Sequence, residues 1–332
     1  MELVTARFSD VLNVVEIRTK IISVSSFALG TAYAAYEAEA FSIGMTLLML
    51  AAVLLVDMGT TGFNSYFDAK RGVDNRRYNR EKSKVLVHNG LSAGFALLVS
   101  LACFALAAVF GLVIIILVGP EVLLVGVASM AVGYLYNGGP LPISTTPVGE
   151  LFAGGFLGGV LFVLSYYVQT ATLSAAVLWA SLPSLLLVSS ILAVNNTCDR
   201  LGDKYAGRRT IAVVFGRRAS EYLGYALGLV AHLLVLWYAI GEAAAAGGGQ
   251  GGAGSGGFGA AAADFAGAGS FPQAAFVAGV VSLAFALWEY RRMHRRGYSH
   301  ETKGPSMQSV SSVFLVFSAA VFASFMWGIV AG

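Results

Sequence analysis

The sequence predicts an all-α protein that crosses a membrane many times, and its composition, segment lengths and charge distribution each point to this class. Hydrophobic residues fill 57% of the 332 positions, charged residues fill 12%, and the mean hydropathy is +0.74. A soluble domain carries roughly 25% charged residues, so this chain lacks the polar surface that folding in water requires. Helices are the expected element because each one satisfies its own backbone hydrogen bonds inside lipid.

Nine apolar segments of the chain have lengths near the roughly 20 residues with which a helix crosses a bilayer. The third and fourth are separated by Gly119-Pro120-Glu121, a turn signal inside one long apolar run. The predicted transmembrane helices cover 21–38, 41–66, 90–117, 121–137, 149–169, 174–198, 219–240, 272–291 and 307–330.

The basic residues support this count and orient the helices. All 21 Lys and Arg residues lie in the N-terminal segment or in the connections after the second, sixth and eighth predicted helices. Basic connections stay in the cytoplasm, so we predict a cytoplasmic N-terminus, an extracytoplasmic C-terminus and residence in the inner (cytoplasmic) membrane. The opposite face carries acids without a cation, namely Glu37, Glu39, Glu121, Glu242 and Asp264.

Several other kinds of protein are disfavoured. The net charge of +3 comes from cations spread over these connections, so no nucleic-acid partner is expected. The two cysteines are too few for a disulfide framework, and the four histidines show no metal-binding or catalytic spacing. The Ala/Gly-rich stretch 243–270 lacks the Lys and the helix start of a phosphate-binding loop. We interpret it as an extracytoplasmic connector inside one domain of residues 1–332, and no obligate protein partner is predicted.

Two polar segments end the second and sixth predicted helices. In each, an Asn precedes an Asp by four residues, which puts both side chains on one helical face, and a further acid follows. The first segment contains Asn64, Asp68 and Asp74, and the second contains Asn195, Asn196, Asp199 and Asp203.

Two interpretations of these segments are open. Acids at helix ends often only pair with neighbouring Lys and Arg at the surface, where a pair contributes ~0–1 kcal/mol. Two matched segments with amides at membrane depth favour a polar cavity instead, because a buried amide needs partners. We therefore predict nine helices around a central cavity with its active site on the cytoplasmic side.

The residue types indicate the chemistry of such a site. Carboxylates repel one another unless a cation lies between them, and Mg²⁺ that also binds a substrate phosphate satisfies this need. Arg208 and Arg209 follow the second segment and could bind phosphate oxygens in bidentate fashion. Metal ions and guanidinium groups stabilise the charge that develops on a leaving diphosphate. The prediction is therefore Mg²⁺-assisted ionisation of an isoprenoid diphosphate, whose tail the apolar helices accommodate.

These features resemble the UbiA-type intramembrane prenyltransferases, whose hallmark is two Asp-rich motifs after the second and sixth of nine helices. The resemblance covers residues from roughly 15 to 220 and is greatest to the 1,4-dihydroxy-2-naphthoate branch, which belongs to menaquinone biosynthesis. It is carried by Arg18-Thr-Lys20, Asn64 to Asp74, Tyr136-Asn-Gly-Gly-Pro140, Gly149-Glu150, Tyr166-Tyr-Val-Gln-Thr170 and Asn195 to Gly216.

The resemblance implies a role for each matching residue. The implied metal ligands are Asn64, Asp68, Asp74, Asp199 and Asp203, of which the four aspartates are the expected catalytic residues. The implied substrate-binding residues are Arg18, Lys20, Lys70, Arg71, Tyr136, Asn195, Asn196, Arg208 and Arg209. The sequence departs from the family pattern at Ser65, Cys198 and Asp57, where Asp, Arg and an uncharged amide are usual. These departures leave the set of ligands intact.

The resemblance further implies the reaction: a polyprenyl diphosphate and 1,4-dihydroxy-2-naphthoate would give demethylmenaquinone, diphosphate and carbon dioxide. A related enzyme with another acceptor, such as 4-hydroxybenzoate, a glyceryl phosphate or a chlorin, is an alternative. A transporter whose intramembrane acids form a pathway is an alternative from a different class. The acids cluster at one face, and this favours the enzyme.

Overall fold

The computed structural model describes residues 7–72, 91–247 and 270–331, and all regular structure within these ranges is helical. Each predicted transmembrane segment coincides with a helix. The helices are α1 (Phe8–Val14), α2 (Ile21–Glu37), α3 (Ile43–Arg71), α4 (Ala93–Val118), α5 (Glu121–Asn137), α6 (Gly149–Thr170, π-helical over Gly154–Val160), α7 (Ala175–Tyr205), α8 (Ile211–Val214), α9 (Arg217–Gly247), α10 (Ser270–Arg296) and α11 (Lys303–Ala331). Short 3-10 turns precede α2 and α6 at Ile17–Lys20 and Ile143–Thr145.

Seven helices in the described part of the chain are long and apolar enough to cross a membrane, namely α3, α4, α6, α7, α9, α10 and α11. The other two predicted spans, α2 and α5, contain 17 residues each. That length is roughly 26 Å, against a hydrocarbon core of roughly 30 Å. The chain is a multi-pass membrane protein. Nine crossings, their orientation and a single domain over residues 1–332 stay predictions, and the connector 243–270 lies largely outside the described residues.

Local sequence explains where the two site-bearing helices begin and end. Ser42 caps α3 and Ser174 caps α7, and each hydroxyl accepts a hydrogen bond from the backbone N–H three residues on. α3 ends at Gly72, whose φ of 68° is the left-handed conformation that glycine adopts at little cost. Both helices extend past the predicted apolar segments, so Asp68 and Asp203 lie on helical backbone.

The helices form two groups on either side of a cavity. One group comprises α2, α6, α7, α9, α10 and α11, which share a core that includes Tyr33, Phe162, Leu187, Met293 and Phe314. In the other group α3 packs against α4 and α5. A second core joins these three helices to α2 and α6, and several of its side chains line the cavity.

Two glycines allow α6 to lie directly against α7. A Cβ atom at Gly154 would lie 1.9 Å from Oγ of Ser189, and one at Gly158 would lie 2.6 Å from Cα of Leu185. Small residues four apart permit such close backbone approach between helices in a membrane. The contact fixes α7 beside α6 and so positions the second acid segment, which lies further along α7, at the polar end of the cavity.

Candidate functional site

A cavity of about 2160 Å³ lies between the two groups of helices. Its wall follows α3 from Met49 to Asp68, which is roughly 28 Å of helix. Apolar side chains line its deep part, whereas acids, amides and cations line the end near Asp68. The apolar lining includes Val53, Ile114, Val122, Leu161 and Val188, and the polar end includes Asn64, Asp68, Asn195, Asn196, Asp199, Asp203 and Arg208.

Arg208 joins the two acid segments. Its Nη2 donates to Oδ1 of Asp68 at 2.9 Å, and its Nη1 donates to Oδ1 of Asp203 at 3.4 Å. Both carboxyl groups are almost fully buried. Burial alone would lower the pKa of Arg208, but the carboxylates of Asp68 and Asp203 raise it above its ordinary value. The guanidinium group therefore stays charged and offsets the repulsion between the two acids.

The turn after α7 explains how Arg208 reaches this position. Gly207 has a φ of 73°, which reverses the chain just beyond the helix. The backbone N–H of Arg208 then donates to the carbonyl of Asp203 at 2.9 Å. Thr210 donates from Oγ1 to the second carboxylate oxygen of Asp203 at 3.4 Å. The sequence between Asp203 and Thr210 thus folds back on the acid that it follows.

Asp199 lies one helical turn before Asp203 and has different partners. Nζ of Lys303 is 2.8 Å from its Oδ2, and Nδ1 of His300 is 3.7 Å from its Oδ1. All three residues line the cavity. The sequence analysis did not select Lys303 or His300, because they lie about 100 residues further along the chain. Only the packing of α11 against α7 brings them to the site.

The two asparagines of the second segment are part of a buried hydrogen-bond chain. Asn195 donates to Oδ1 of Asn196 at 3.5 Å, and Nδ2 of Asn196 donates to Oε1 of Glu150 at 2.9 Å. Glu150 is 2% exposed, and its Oε2 has no hydrogen-bond partner among the described residues. Sequence reasoning missed Glu150 as a functional residue, although an acid at the start of an apolar span was a usable signal.

Lys20 forms hydrogen bonds within a second cluster of polar side chains on the cavity wall. Its ammonium group donates to Oδ1 of Asp57 at 2.7 Å and to Oγ1 of Thr61 at 2.6 Å. Ser23 donates to the other carboxylate oxygen of Asp57 at 2.6 Å. Asp57 is therefore fully hydrogen-bonded inside the cavity wall, away from the acids of the site. Lys20 was expected to bind the acceptor substrate, and its N–H donors are already used in these contacts. Its role in substrate binding stays a prediction.

The remaining predicted residues fall into three sets. Asn64, Tyr136 and Arg18 line the cavity, and Arg18 is exposed at its rim. Lys70, Arg71 and Arg209 are exposed and do not line the cavity. The ammonium group of Lys70 lies over the ring of Tyr66, and Arg71 donates to the backbone carbonyls of Asn137 and Gly139. The backbone N–H of Arg209 donates to the carbonyl of Thr145. Asp74 lies outside the described residues.

The donor chemistry of the polar end fits Mg²⁺. No three His, Cys, Asp or Glu side chains within the described ranges are grouped closely enough to hold a metal ion by themselves. The carboxylates of Asp68 and Asp203 nevertheless share one cation, Arg208, and Asn64 and Asp199 line the same end of the cavity. These oxygen donors are the type that Mg²⁺ prefers, and this ion commonly completes its shell with water and substrate phosphates.

Comparison with known proteins identifies the family. The model of the UbiA prenyltransferase family matches residues 23–303. A 1,4-dihydroxy-2-naphthoate octaprenyltransferase of Bacillus subtilis is 34% identical over 216 residues, which are 65% of this chain and 69% of that protein. A protein of the same name from Mycobacterium tuberculosis is 30% identical over 236 residues, which are 69% of this chain and 80% of that protein.

Solved structures show the same fold. A UbiA homologue from Archaeoglobus fulgidus bound to GPP and Mg²⁺ has a TM-score of 0.64 at 14% identity, over 96% of this chain and 99% of that chain. The complex of a UbiA homologue from Archaeoglobus fulgidus with DMAPP and Mg²⁺ has a TM-score of 0.63 at 14% identity, with the same coverage.

Proposed function

The chain belongs to the UbiA prenyltransferase family, and from this premise we propose that it transfers a polyprenyl chain to 1,4-dihydroxy-2-naphthoate. The donor is the polyprenyl diphosphate, and the products are diphosphate, carbon dioxide and demethylmenaquinone at its quinol oxidation level. The observation that carries the proposal is the cavity with two acid segments and Arg208 at one end and an apolar lining along the rest. The names of the two bacterial relatives support the choice of acceptor.

The polar end is where we propose that the diphosphate binds. Asn64, Asp68, Asp199 and Asp203 would hold Mg²⁺ there, together with Asp74 from the segment outside the described residues. When bound, the ion supplies Lewis-acid stabilisation of the charge on the diphosphate oxygens. Arg208 offsets part of the negative charge of Asp68 and Asp203 before substrate arrives and offers two N–H groups to the diphosphate afterwards.

The reaction needs a leaving group, a protected carbocation and an electron-rich acceptor. The allylic C–O bond breaks with its electron pair on the diphosphate, and Arg208 stabilises that charge. The apolar side chains of the deep cavity hold the tail and exclude water, which would otherwise capture the cation. A ring carbon of the naphthoate supplies the pair for the new C–C bond, and loss of carbon dioxide returns a pair to the ring.

The position of the acceptor follows from its carboxylate. Arg18 is exposed at the rim of the cavity, and its guanidinium group suits a planar carboxylate. Lys20 is bound to Asp57, so Arg18 is the basic residue of this turn that we assign to the acceptor. The cations gathered at this end also support a cytoplasmic orientation of the site.

The test is a reaction of detergent-purified protein with Mg²⁺, a polyprenyl diphosphate and 1,4-dihydroxy-2-naphthoate, followed by mass spectrometry of the lipid extract. We expect the prenylated, decarboxylated product, and we expect it to disappear with a chelator and return with added Mg²⁺. Parallel reactions with 4-hydroxybenzoate, a glyceryl phosphate and a chlorin test the acceptor. Turnover of one of these with none of the naphthoate would replace the acceptor. Flux across vesicles without consumption of diphosphate would instead support a transporter.

A further inference from the structure

We propose that Lys303, the first residue of α11, is a diphosphate-binding residue of this site and that the turn between α10 and α11 forms a third arm around the substrate. This inference deepens the proposed function and rests on it. Neither the sequence motifs nor the comparisons assign a role to this turn. Three features of the turn support the proposal: the contact of Lys303 with Asp199, the hydrogen bonds inside the turn, and the likeness of the Lys303 contact to that of Arg208.

Lys303 is placed where an anionic ligand of the cavity would meet it. Its Nζ lies 2.8 Å from Oδ2 of Asp199, and both side chains line the polar end of the cavity. Lys303 is 19% exposed and Asp199 is 23% exposed, so the pair is open to the cavity, whereas Asp203 is nearly buried. His300 approaches the other oxygen of Asp199 at 3.7 Å. The turn therefore presents cationic and polar groups to Asp199 of the second acid segment.

Hydrogen bonds within the turn and to α9 hold the turn between α10 and α11 in place. Tyr298 is 5% exposed and donates from its hydroxyl to that of Tyr225 on α9 at 2.8 Å. Oγ1 of Thr302 donates to the carbonyl of Gly297 at 2.9 Å and accepts from the backbone N–H of Ser299 at 2.9 Å. These bonds hold the turn against the bundle, so little conformational entropy remains to be lost when its end contacts a ligand.

Lys303 and Arg208 make equivalent contacts with two acids of α7. Asp199 and Asp203 are four residues apart and share one helical face. Asp199 contacts Lys303 at the start of α11, and Asp203 contacts Arg208 in the turn that follows α7. An acid that takes up Mg²⁺ no longer attracts an ammonium group to the same degree, because the two cations repel each other. The ammonium group of Lys303 then contacts the diphosphate oxygens beside it, as the guanidinium group of Arg208 does at Asp203.

This arrangement predicts two effects of opposite sign when Lys303 is replaced by Met. Mg²⁺ alone should bind about threefold more tightly, because a competing cation of a partly exposed pair is gone. A non-reactive thiolo analogue of the prenyl diphosphate, titrated in the presence of Mg²⁺, should bind about tenfold more weakly, because a charge-assisted hydrogen bond is lost. Both affinities are measured by calorimetry on the full-length protein in detergent, and the KM for the diphosphate should rise with the second. Lys303→Arg should restore most of the analogue affinity.

Arg295→Met is the matched control, because Arg295 is an exposed cation near the end of α10 that does not line the cavity. It should change neither affinity. Equal analogue affinity in Lys303→Met and the unchanged protein would overturn the proposal. Loss of both affinities together with a lower Tm would also overturn it, because this is the result expected if the Lys303–Asp199 ion pair only stabilises the fold. If the unchanged protein binds the analogue through Lys303 but transfers the chain to no acceptor, the proposed function fails and the binding role stands.

Discussion

The two acid segments share a pattern of Asn and Asp residues, but they are balanced differently. At the end of α3, Asp68 has Arg208 as its cation, 140 residues away, while Lys70 and Arg71 of the same helix lie outside the cavity. At the end of α7, Asp203 shares that Arg208 and Asp199 has Lys303. Asp68 and Asp199 thus meet cations from distant parts of the chain, whereas Asp203 meets one from the turn that follows its own helix. The Asn and Asp pattern therefore identifies the acids but does not predict the cations of Asp68 and Asp199.

Asp57, a third acid, differs from both segments in its surroundings. Asp57 lies three turns before Asp68 on α3 and is closed off by Lys20, Ser23 and Thr61. Thr61 accepts from Lys20 and donates back to the carbonyl of Asp57. Asp68 and Asp203 instead meet one shared guanidinium at the open polar end. We expect the closed cluster to contribute to stability and the shared one to substrate binding, and the following experiments separate these contributions.

The largest effect is expected from the acids themselves. Asp68→Asn or Asp199→Asn should reduce transfer to less than about one hundredth of the unchanged rate, because each removes a charge from the site of the leaving group. The near-isosteric amide should leave the Tm close to its original value. Product formation is measured by mass spectrometry and Tm by thermal unfolding. Glu39→Gln, at an exposed acid remote from the cavity, is the control; full activity in either Asp variant would refute the metal-site assignment.

Arg208 should come next, because it serves both segments. Arg208→Met is expected to lower kcat/KM about a hundredfold. Arg208→Lys should lose about tenfold, because an ammonium group keeps the charge but lacks the planar fork that reaches two carboxylates. Steady-state kinetics with varied prenyl diphosphate checks both values. Equal rates for Arg208→Lys and the unchanged protein would show that the fork geometry is unimportant and would weaken the contrast drawn between the segments.

Substitutions in the closed cluster around Asp57 should lower the stability of the protein more than its activity. Lys20→Met leaves the Asp57 carboxylate buried without its partner, a change that costs about 3–5 kcal/mol. The double variant Lys20→Met with Asp57→Asn removes both charges and should recover most of the Tm. Thermal unfolding of the unchanged protein and both variants in one detergent gives the comparison. A double variant that is no more stable than Lys20→Met would indicate that the two residues do not act as a pair.

Glu150 tests the hydrogen-bond chain of the second segment with a smaller effect. Glu150→Ala leaves the amide of Asn196 without its acceptor, which costs about 1–3 kcal/mol for a buried group. Glu150→Gln still offers an oxygen and should behave much like the unchanged protein. The Tm and the KM for the diphosphate are measured for both. If the Gln variant is as impaired as the Ala variant, the charge of Glu150 matters and not only its oxygen.

The smallest effect is expected from shortening the Ala/Gly-rich connector. Replacing residues 245–268 by a short Gly/Ser linker should change kcat by less than about twofold, because the closure entropy of a loop depends only weakly on its length. Activity per milligram of purified protein is the measurement. A large loss of activity would show that this region does more than connect α9 and α10. The two acid segments would then not account for the function by themselves.

The sequence by itself determined the helical membrane class, the positions of the long helices and the family. These follow from local features: apolar length, turn residues and the spacing of polar side chains along one helix. It also selected Asp68, Asn195, Asn196, Asp199, Asp203 and Arg208, all of which line one end of the cavity.

Only the tertiary structure decided which cation meets which acid. Lys20 was expected near a substrate and is bound to Asp57, whereas Lys303 was not selected and contacts Asp199. The packing of the turn Ile17–Lys20 against α3 and the packing of α11 against α7 set these partners. An ion pair depends on distances between helices that are far apart in the chain, and the spacing along any one helix contains no information about them.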